Sequence, residues 1–230
     1  MTEHTGHNRI LSRQCLLCNL HPGQPWLCRR CEEDLPHLEH ACPHCALPLS
    51  QSQPCGHCLK DPPPWQQITA AFQYEFPINE LIGRAKYEHQ LHFIPLLADL
   101  LLKRIPPAQQ QIELILPVPM SQRKLRQRHV NHAFLLAKQL GKQLDTPVAP
   151  NALVKIRETG QQKDLDRRVR QLNLRGSFAV KAQLPSSVAV VDDVITTGST
   201  LAEITGLLAG HGVQKITAWV VARTPDPWLI

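Results

Sequence analysis

No run of residues in this chain approaches the roughly 20 apolar positions of a membrane-spanning helix. The longest apolar stretches lie near Ile94–Leu102 and Val188–Val191, so membrane insertion is not expected. The stretch Met1–Arg13 is polar and lacks the apolar core of a secretory leader, which points to a cytoplasmic protein. Aromatic side chains are scarce, and the chain ahead of Ile68 holds only Trp26 and Trp65. That stretch therefore offers no evident stacking platform for a single nucleic-acid strand. Cysteine is absent after position 58, although eight precede it from position 15 onward.

Apolar residues still make up 43% of the 230 positions, enough to fill a core and to argue against wholesale disorder. The formal charge of +6 is unevenly spread. Residues 121–175 carry 13 Lys and Arg against 4 Asp and Glu, a local excess of +9, while each remaining stretch comes out at −1. Basicity confined to one segment points to an anionic ligand more than to a general affinity for nucleic acid.

The composition changes after the last cysteine. Asp61-Pro62-Pro63-Pro64 reads as a stiff connector. Beyond it strands and helices alternate. Strands are expected at Ile68–Tyr74, Ile112–Val118, Ser187–Val191 and Lys215–Ala222. Helices are expected at Ile78–Glu88, Phe93–Arg104 and Ser199–Ala209, and around Val130, Ala133, Phe134, Ala137 and Leu140, which fall at helical spacing. Alternation of this kind predicts an α/β fold with a parallel sheet covered on both faces.

The cysteines form four CxxC pairs: Cys15 and Cys18, Cys28 and Cys31, Cys42 and Cys45, Cys55 and Cys58. Laying Cys15 on Cys42 superimposes the first two pairs on the last two, and Leu20 then falls on Leu47. One CxxC turn offers two sulfurs to an ion, and a second completes a tetrahedron. Disulfides are disfavoured without a leader, and a redox CxxC normally comes singly. The expectation is about two structural Zn²⁺ ions supplying folding energy that so short a stretch lacks. Two sequential sites are the simplest partition, but spacing leaves crossed pairing of the first and third pairs open. His44 and His57, inside CxxC turns, are read as bystanders. With four thiolates on each ion the net charge would fall to about +2.

The most informative string is Val190-Val191-Asp192-Asp193-Val194-Ile195-Thr196-Thr197-Gly198-Ser199-Thr200. A buried strand runs into two carboxylates, and a Thr/Gly/Ser loop then opens a helix. Helix amides and hydroxyls suit a phosphate dianion, Gly198 allows close backbone approach, and the acid pair suits ribose hydroxyls. The string resembles the motif that binds phosphoribosyl pyrophosphate (PRPP) in type I phosphoribosyltransferases. The resemblance implies that Asp192 and Asp193 hold the ribose 2′- and 3′-hydroxyls. It also implies that Thr196, Thr197, Gly198, Ser199 and Thr200 wrap the 5′-phosphate, with Mg²⁺ accompanying PRPP. Nucleobase-salvage members often carry an acid where this chain has Thr196, which disfavours ordinary purine salvage. Lys155 and Arg157 resemble the Lys-x-Arg of the flexible loop in glutamine-dependent amidophosphoribosyltransferases, which implies a catalytic role for both.

Other segments match in order: Pro117-Val118-Pro119, the Arg-rich turn with Arg123, Lys124, Arg126 and Arg128, and Arg157, Gln162, Arg168, Asn173 and Phe178. Together with the paired cysteines they resemble the ComF/GntX family over nearly the whole chain. That family is associated with competence and with use of external DNA as a nutrient. One stretch departs: Arg128-His129-Val130-Asn131-His132 stands where the family has Arg-Gly-Phe-Asn-Gln. The implied organisation is a polar tail (1–13), a double zinc ribbon (14–61), a proline-rich linker (62–66) and a phosphoribosyltransferase-like domain (67–230). Two functions follow from the resemblance: an Mg²⁺-dependent transferase acting on PRPP, or a non-catalytic PRPP-fold module serving single-stranded DNA or a DNA-uptake partner.

Overall fold

Short elements bracket the cysteines, and longer ones build an α/β sheet. In the computed structural model, residues 14–23, 25–88, 90–157 and 175–225 are described. The helices are α1 (Arg29–Glu33), α2 (Gly56–Lys60), α3 (Ile78–Tyr87), α4 (Phe93–Leu102), α5 (Pro107–Gln110), α6 (Gln122–Arg128), α7 (His132–Leu144) and α8 (Ser199–Gly210). The strands are β1 (Gln67–Gln73), β2 (Leu114–Pro117), β3 (Leu153–Lys155), β4 (Phe178–Val180), β5 (Ser187–Ile195) and β6 (Lys215–Arg223). No helix among the described residues is long and apolar enough to cross a membrane.

Four strands form one parallel sheet in the order β1-β6-β5-β2, and β3 pairs antiparallel with β4. The two longest strands, β5 and β6, take the centre because their apolar runs tolerate burial on both faces. Val188, Val190, Ile216, Ala218 and Val220 share a cluster with Leu201, Ile204 and Leu208 of α8. The alternate positions Ala189, Val191, Trp219 and Val221 are also fully buried and point to the other face. There α4 and α7 pack on the sheet. The helix α4 is buried almost all round, so its apolar run is a core helix. The close seat of α7 depends on Gly141, where a Cβ would stand 2.5 Å from Val148 Cγ2 and 2.7 Å from the Thr146 carbonyl.

The expected sheet is therefore present, with two instructive differences. β5 does not stop at Val191 but runs on to Ile195, because β6 keeps pairing with it as far as Arg223. The Arg-rich stretch, expected as a turn, is the helix α6. Ser121 caps it by accepting from the Lys124 N–H at 3.4 Å, and Gln, Lys, Leu and Arg are all good helix formers.

The chain divides into two compact units, Met1–Leu35 and Pro36–Ile230. The cysteine repeat is visible in the backbone of both. α1 and α2 hold equivalent places in the repeat, opened by Cys28 and Cys55 in nearly identical extended conformations. Asn19 and Ala46, also equivalent, both take the left-handed conformation at φ 56°. The second half differs in being built into the sheet unit. Cys42, Cys45, Cys55 and Cys58 belong to one apolar cluster with Trp65, Ile195 and Leu201. Leu47 is accordingly 4% exposed, whereas its counterpart Leu20 is 80% exposed.

Candidate functional site

Each cysteine set closes on itself. The sulfurs of Cys15, Cys18, Cys28 and Cys31 lie within 4.8 Å of one another, and so do those of Cys42, Cys45, Cys55 and Cys58. The partition is sequential, which settles the alternative that spacing left open. The Sγ atoms of Cys18 and Cys28, and of Cys45 and Cys55, are 3.8 Å apart. That matches the edge of a tetrahedron with bonds of ~2.3 Å, the usual zinc–sulfur length. Burial opposes ionisation of Cys15 and Cys42, but backbone N–H groups aimed at their sulfurs outweigh it and hold the thiols down, to about 6 and about 7. Burial and the neighbouring sulfurs push Cys31 and Cys58 up. Four such sulfurs carry charge together only around a cation, so the donor set fits structural zinc and leaves no open ligand position. His44 and His57 are not among the clustered ligands.

The second site lies at the sheet's carboxyl edge. β2 ends at Pro117 opposite Val191, so Asp192 and Asp193 emerge past its last residue while β6 still supports them. They share a cleft of about 170 Å³ with four cations, Lys86, Lys124, Arg128 and Lys155. Lys86 Nζ lies 2.7 Å from Asp193 Oδ1, with side chains only 15% and 16% exposed. Burial works against the Lys86 ammonium, but Asp193 and then Asp192 outweigh it and hold its pKa above the ordinary lysine value. Burial, and after it the Asp193 carboxylate, push Asp192 up to about 7. Asp192 also accepts the Asp193 N–H at 2.9 Å.

After β5 the chain turns through Gly198, whose φ of 77° is the left-handed conformation that favours glycine, and enters α8. Thr197 and Ser199 hydroxyls lie 2.9 Å apart, and the Ser199 N–H donates to Thr197 Oγ1 at 3.4 Å. Thr200 lines the cleft with the acid pair, whereas Thr197 and Gly198 line a neighbouring cavity. Thr196 is exposed. Lys155, at the end of β3, also lines the cleft, with its ammonium 5.5 Å from the Phe178 ring centroid. Arg157 does not join them: it is exposed and donates to the Arg175 carbonyl at 2.7 Å. Glu158, Thr159, Gly160, Gln161, Gln162, Arg167, Arg168 and Asn173 lie outside the described residues.

The segment that departs from the family pattern keeps its turn. His129 takes φ 61° at the end of α6, the conformation for which glycine is the easier residue. Asn131 caps α7 by accepting the Ala133 N–H and donates to the Val118 carbonyl at 3.0 Å. His132 is buried and meets the Ala85 carbonyl through Nε2 at 2.9 Å, which braces the helix carrying Lys86.

Sequence reading missed Lys86, and its signal was modest. It follows Ile82 by one helical turn on a helix whose buried face is Ile78, Leu81, Ile82 and Ala85, so a cation stands at the edge of an apolar stripe. Arg223 was missed too. It is a 5% exposed charge ending a strand that is buried from Ile216 onward.

A double zinc ribbon joined to a phosphoribosyltransferase-type sheet defines the class of protein. Residues 7–59 match the double zinc ribbon domain, and residues 131–229 match the phosphoribosyl transferase domain. The chain is 36% identical over 222 residues to Competence protein F of Haemophilus influenzae, covering 91% of this chain and 96% of that one. It is 33% identical to DNA utilization protein YhgH of Escherichia coli, covering 88% and 98%. The Salmonella typhimurium protein of that name is 32% identical over the same shares. The chain belongs to the ComF/GntX family.

Proposed function

We propose that the cleft binds PRPP and that the protein transfers its phosphoribosyl group to an acceptor, in the service of DNA uptake or utilisation. The observation that carries this reading is the register of the sheet. Because β2 stops opposite Val191, the carboxylates of Asp192 and Asp193 stand over a cleft that also holds four cations. In this reading the pair accepts the ribose 2′- and 3′-hydroxyls. Residues Thr196–Thr200 receive the 5′-phosphate at the start of α8. Lys155, with Lys124 and Arg128, faces the pyrophosphate. Arg157 would have to leave the Arg175 carbonyl to contribute.

Mg²⁺ arriving with PRPP would supply further positive charge to the pyrophosphate oxygens. In the transfer the bond from C1 to pyrophosphate breaks, and its electron pair leaves with pyrophosphate. An acceptor nucleophile forms the new bond to C1 and gives up a proton. The chain's part is to fix the sugar between the acid pair and the loop and to offset the leaving charge. Calorimetric titration with PRPP and Mg²⁺ tests the reading. Asp192→Asn with Asp193→Asn should weaken binding by roughly 3–6 kcal/mol, two hydrogen bonds to charged groups. It should do so without unfolding the protein. Unchanged affinity in the double variant would refute it.

A second reading keeps the PRPP fold as a binding module for single-stranded DNA or a DNA-uptake partner. It draws on Arg123 and Arg126, which stand exposed on α6 outside the cleft lining, and on the names of the relatives. Arg123→Ala with Arg126→Ala should then flatten the salt dependence of single-strand binding, by about 0.7 in slope for each phosphate no longer neutralised. Wild-type protein with no DNA affinity at low salt would remove that reading.

A further inference from the structure

We infer that Arg223 is the positioning residue of the phosphate loop, and that it ties the loop's amides to the second cysteine site. An arginine only 5% exposed costs several kcal/mol to desolvate, so its place at the end of a buried strand calls for a function that leucine could not supply. Its contacts indicate that function. Nε donates to the Cys45 carbonyl at 3.2 Å. The NH1 group donates to the carbonyls of Ile195, at 3.4 Å, and of Thr196, and is shared with the carbonyl and hydroxyl of Thr224 at 3.0 and 3.3 Å. One rigid, planar fork therefore holds a zinc-ligand backbone on one side and the start of the phosphate loop on the other.

The consequence follows from peptide geometry. In a trans peptide the N–H points opposite to the preceding carbonyl. With the carbonyls of Ile195 and Thr196 drawn to Arg223, the N–H groups of Thr196 and Thr197 point away from it. Such amides are the groups a phosphate dianion needs. Ile195 is held further by the Thr224 N–H at 3.0 Å, so the strand end is anchored and Thr196 is where orientation is decided. Trp65 makes a second tether: it donates to the His44 carbonyl at 2.7 Å, and its ring edge lies 3.5 Å from where a Cβ on Gly198 would sit. A cavity of about 200 Å³ separates the cysteine site from the loop, with Cys58, Thr197 and Gly198 in its wall. Trp65 packs against the loop at Gly198, and the bonds from Arg223 set the orientation of the peptides ahead of it.

Zinc at the second site and phosphate at the loop are then coupled through Arg223, and such coupling is reciprocal. The inference rests on the PRPP reading for its ligand but not for its first test. Hydrogen exchange of residues 194–200 should be compared in holoprotein and in Arg223→Lys, which keeps the charge and loses the fork. At least tenfold faster exchange is expected, with zinc content unchanged and the α7 amides unaffected. Equal exchange in the two proteins would overturn the inference. Should the variant fail to fold, chelation of zinc from wild-type protein should speed exchange at 194–200, and no change there would overturn it equally. In the ligand arm, PRPP should slow loss of one of two zinc ions to a chelator several-fold in wild type and not in Arg223→Lys. Protection that persists in the variant contradicts the coupling. Wild type that binds no PRPP, yet shows the exchange difference, contradicts the proposed function and leaves the positioning role standing.

Discussion

Burial and the adjacent Asp193 raise the pKa of Asp192 to about 7, far above an exposed carboxylate. Below about pH 4 folded and unfolded chains both hold this proton, and the residue costs nothing. Between about 4 and 7 the unfolded chain ionises first, so the folded state binds more protons and stability falls as pH rises. Denaturant unfolding at pH 5 and pH 8 should therefore show wild type losing stability relative to Asp192→Asn at the higher pH. A pH-independent difference would count against the burial of that carboxylate. Ribose hydroxyls donate to the ionised form, so PRPP affinity should rise by up to about tenfold per unit below pH 7 and level off above it. Binding at pH 6 should release a proton, visible as buffer-dependent heat.

The left-handed conformation of His129 persists although the family's glycine is gone, so His129→Gly should stabilise the fold by roughly 0.5–1 kcal/mol. A lowered denaturation midpoint would show that the imidazole makes compensating contacts.

Elements show what sequence can and cannot disclose. The central strands were legible because long apolar runs suit burial on both faces, and the cysteine repeat was legible because tetrahedral thiolate sites need paired CxxC turns. The carboxyl end of β5 was not. Asp192 and Asp193 look like the end of a strand by composition, and only pairing with β6 carries the strand past them. The nature of α6 was hidden for a related reason. Charged residues at close spacing read as a turn until a capping serine is recognised. The cations of α6 divide along its faces. Lys124 and Arg128, one turn apart, reach the cleft while Arg123 and Arg126 remain exposed.

The two cysteine sites also part company at this scale. Cys42→Ser should lower the thermal stability of the sheet unit, since its ligands share a cluster with Ile195 and Leu201. Cys15→Ser should leave the unfolding of residues 36–230 nearly unchanged, because those ligands lie in the other compact unit. Calorimetric scans of both variants check this, and equal effects would contradict it.

At the scale of the molecule, three cations of the basic 121–175 segment, Lys124, Arg128 and Lys155, meet Lys86 and the acid pair in one cleft. The local excess was legible in the sequence. Its partner Lys86 was not, because it comes from a helix far earlier in the chain than the acids it faces. The cleft offers a separate partner to each part of PRPP, the loop to the 5′-phosphate, the acid pair to the ribose and the cations to the pyrophosphate, if the proposed function holds. The deciding measurement is a calorimetric titration of the wild-type holoprotein with PRPP, ribose 5-phosphate and pyrophosphate, each with Mg²⁺. One PRPP per chain is expected, bound at least tenfold more tightly than either fragment, because only PRPP engages loop, acid pair and cations together. Absence of PRPP binding at millimolar concentration, or pyrophosphate binding as tightly as PRPP, would contradict it.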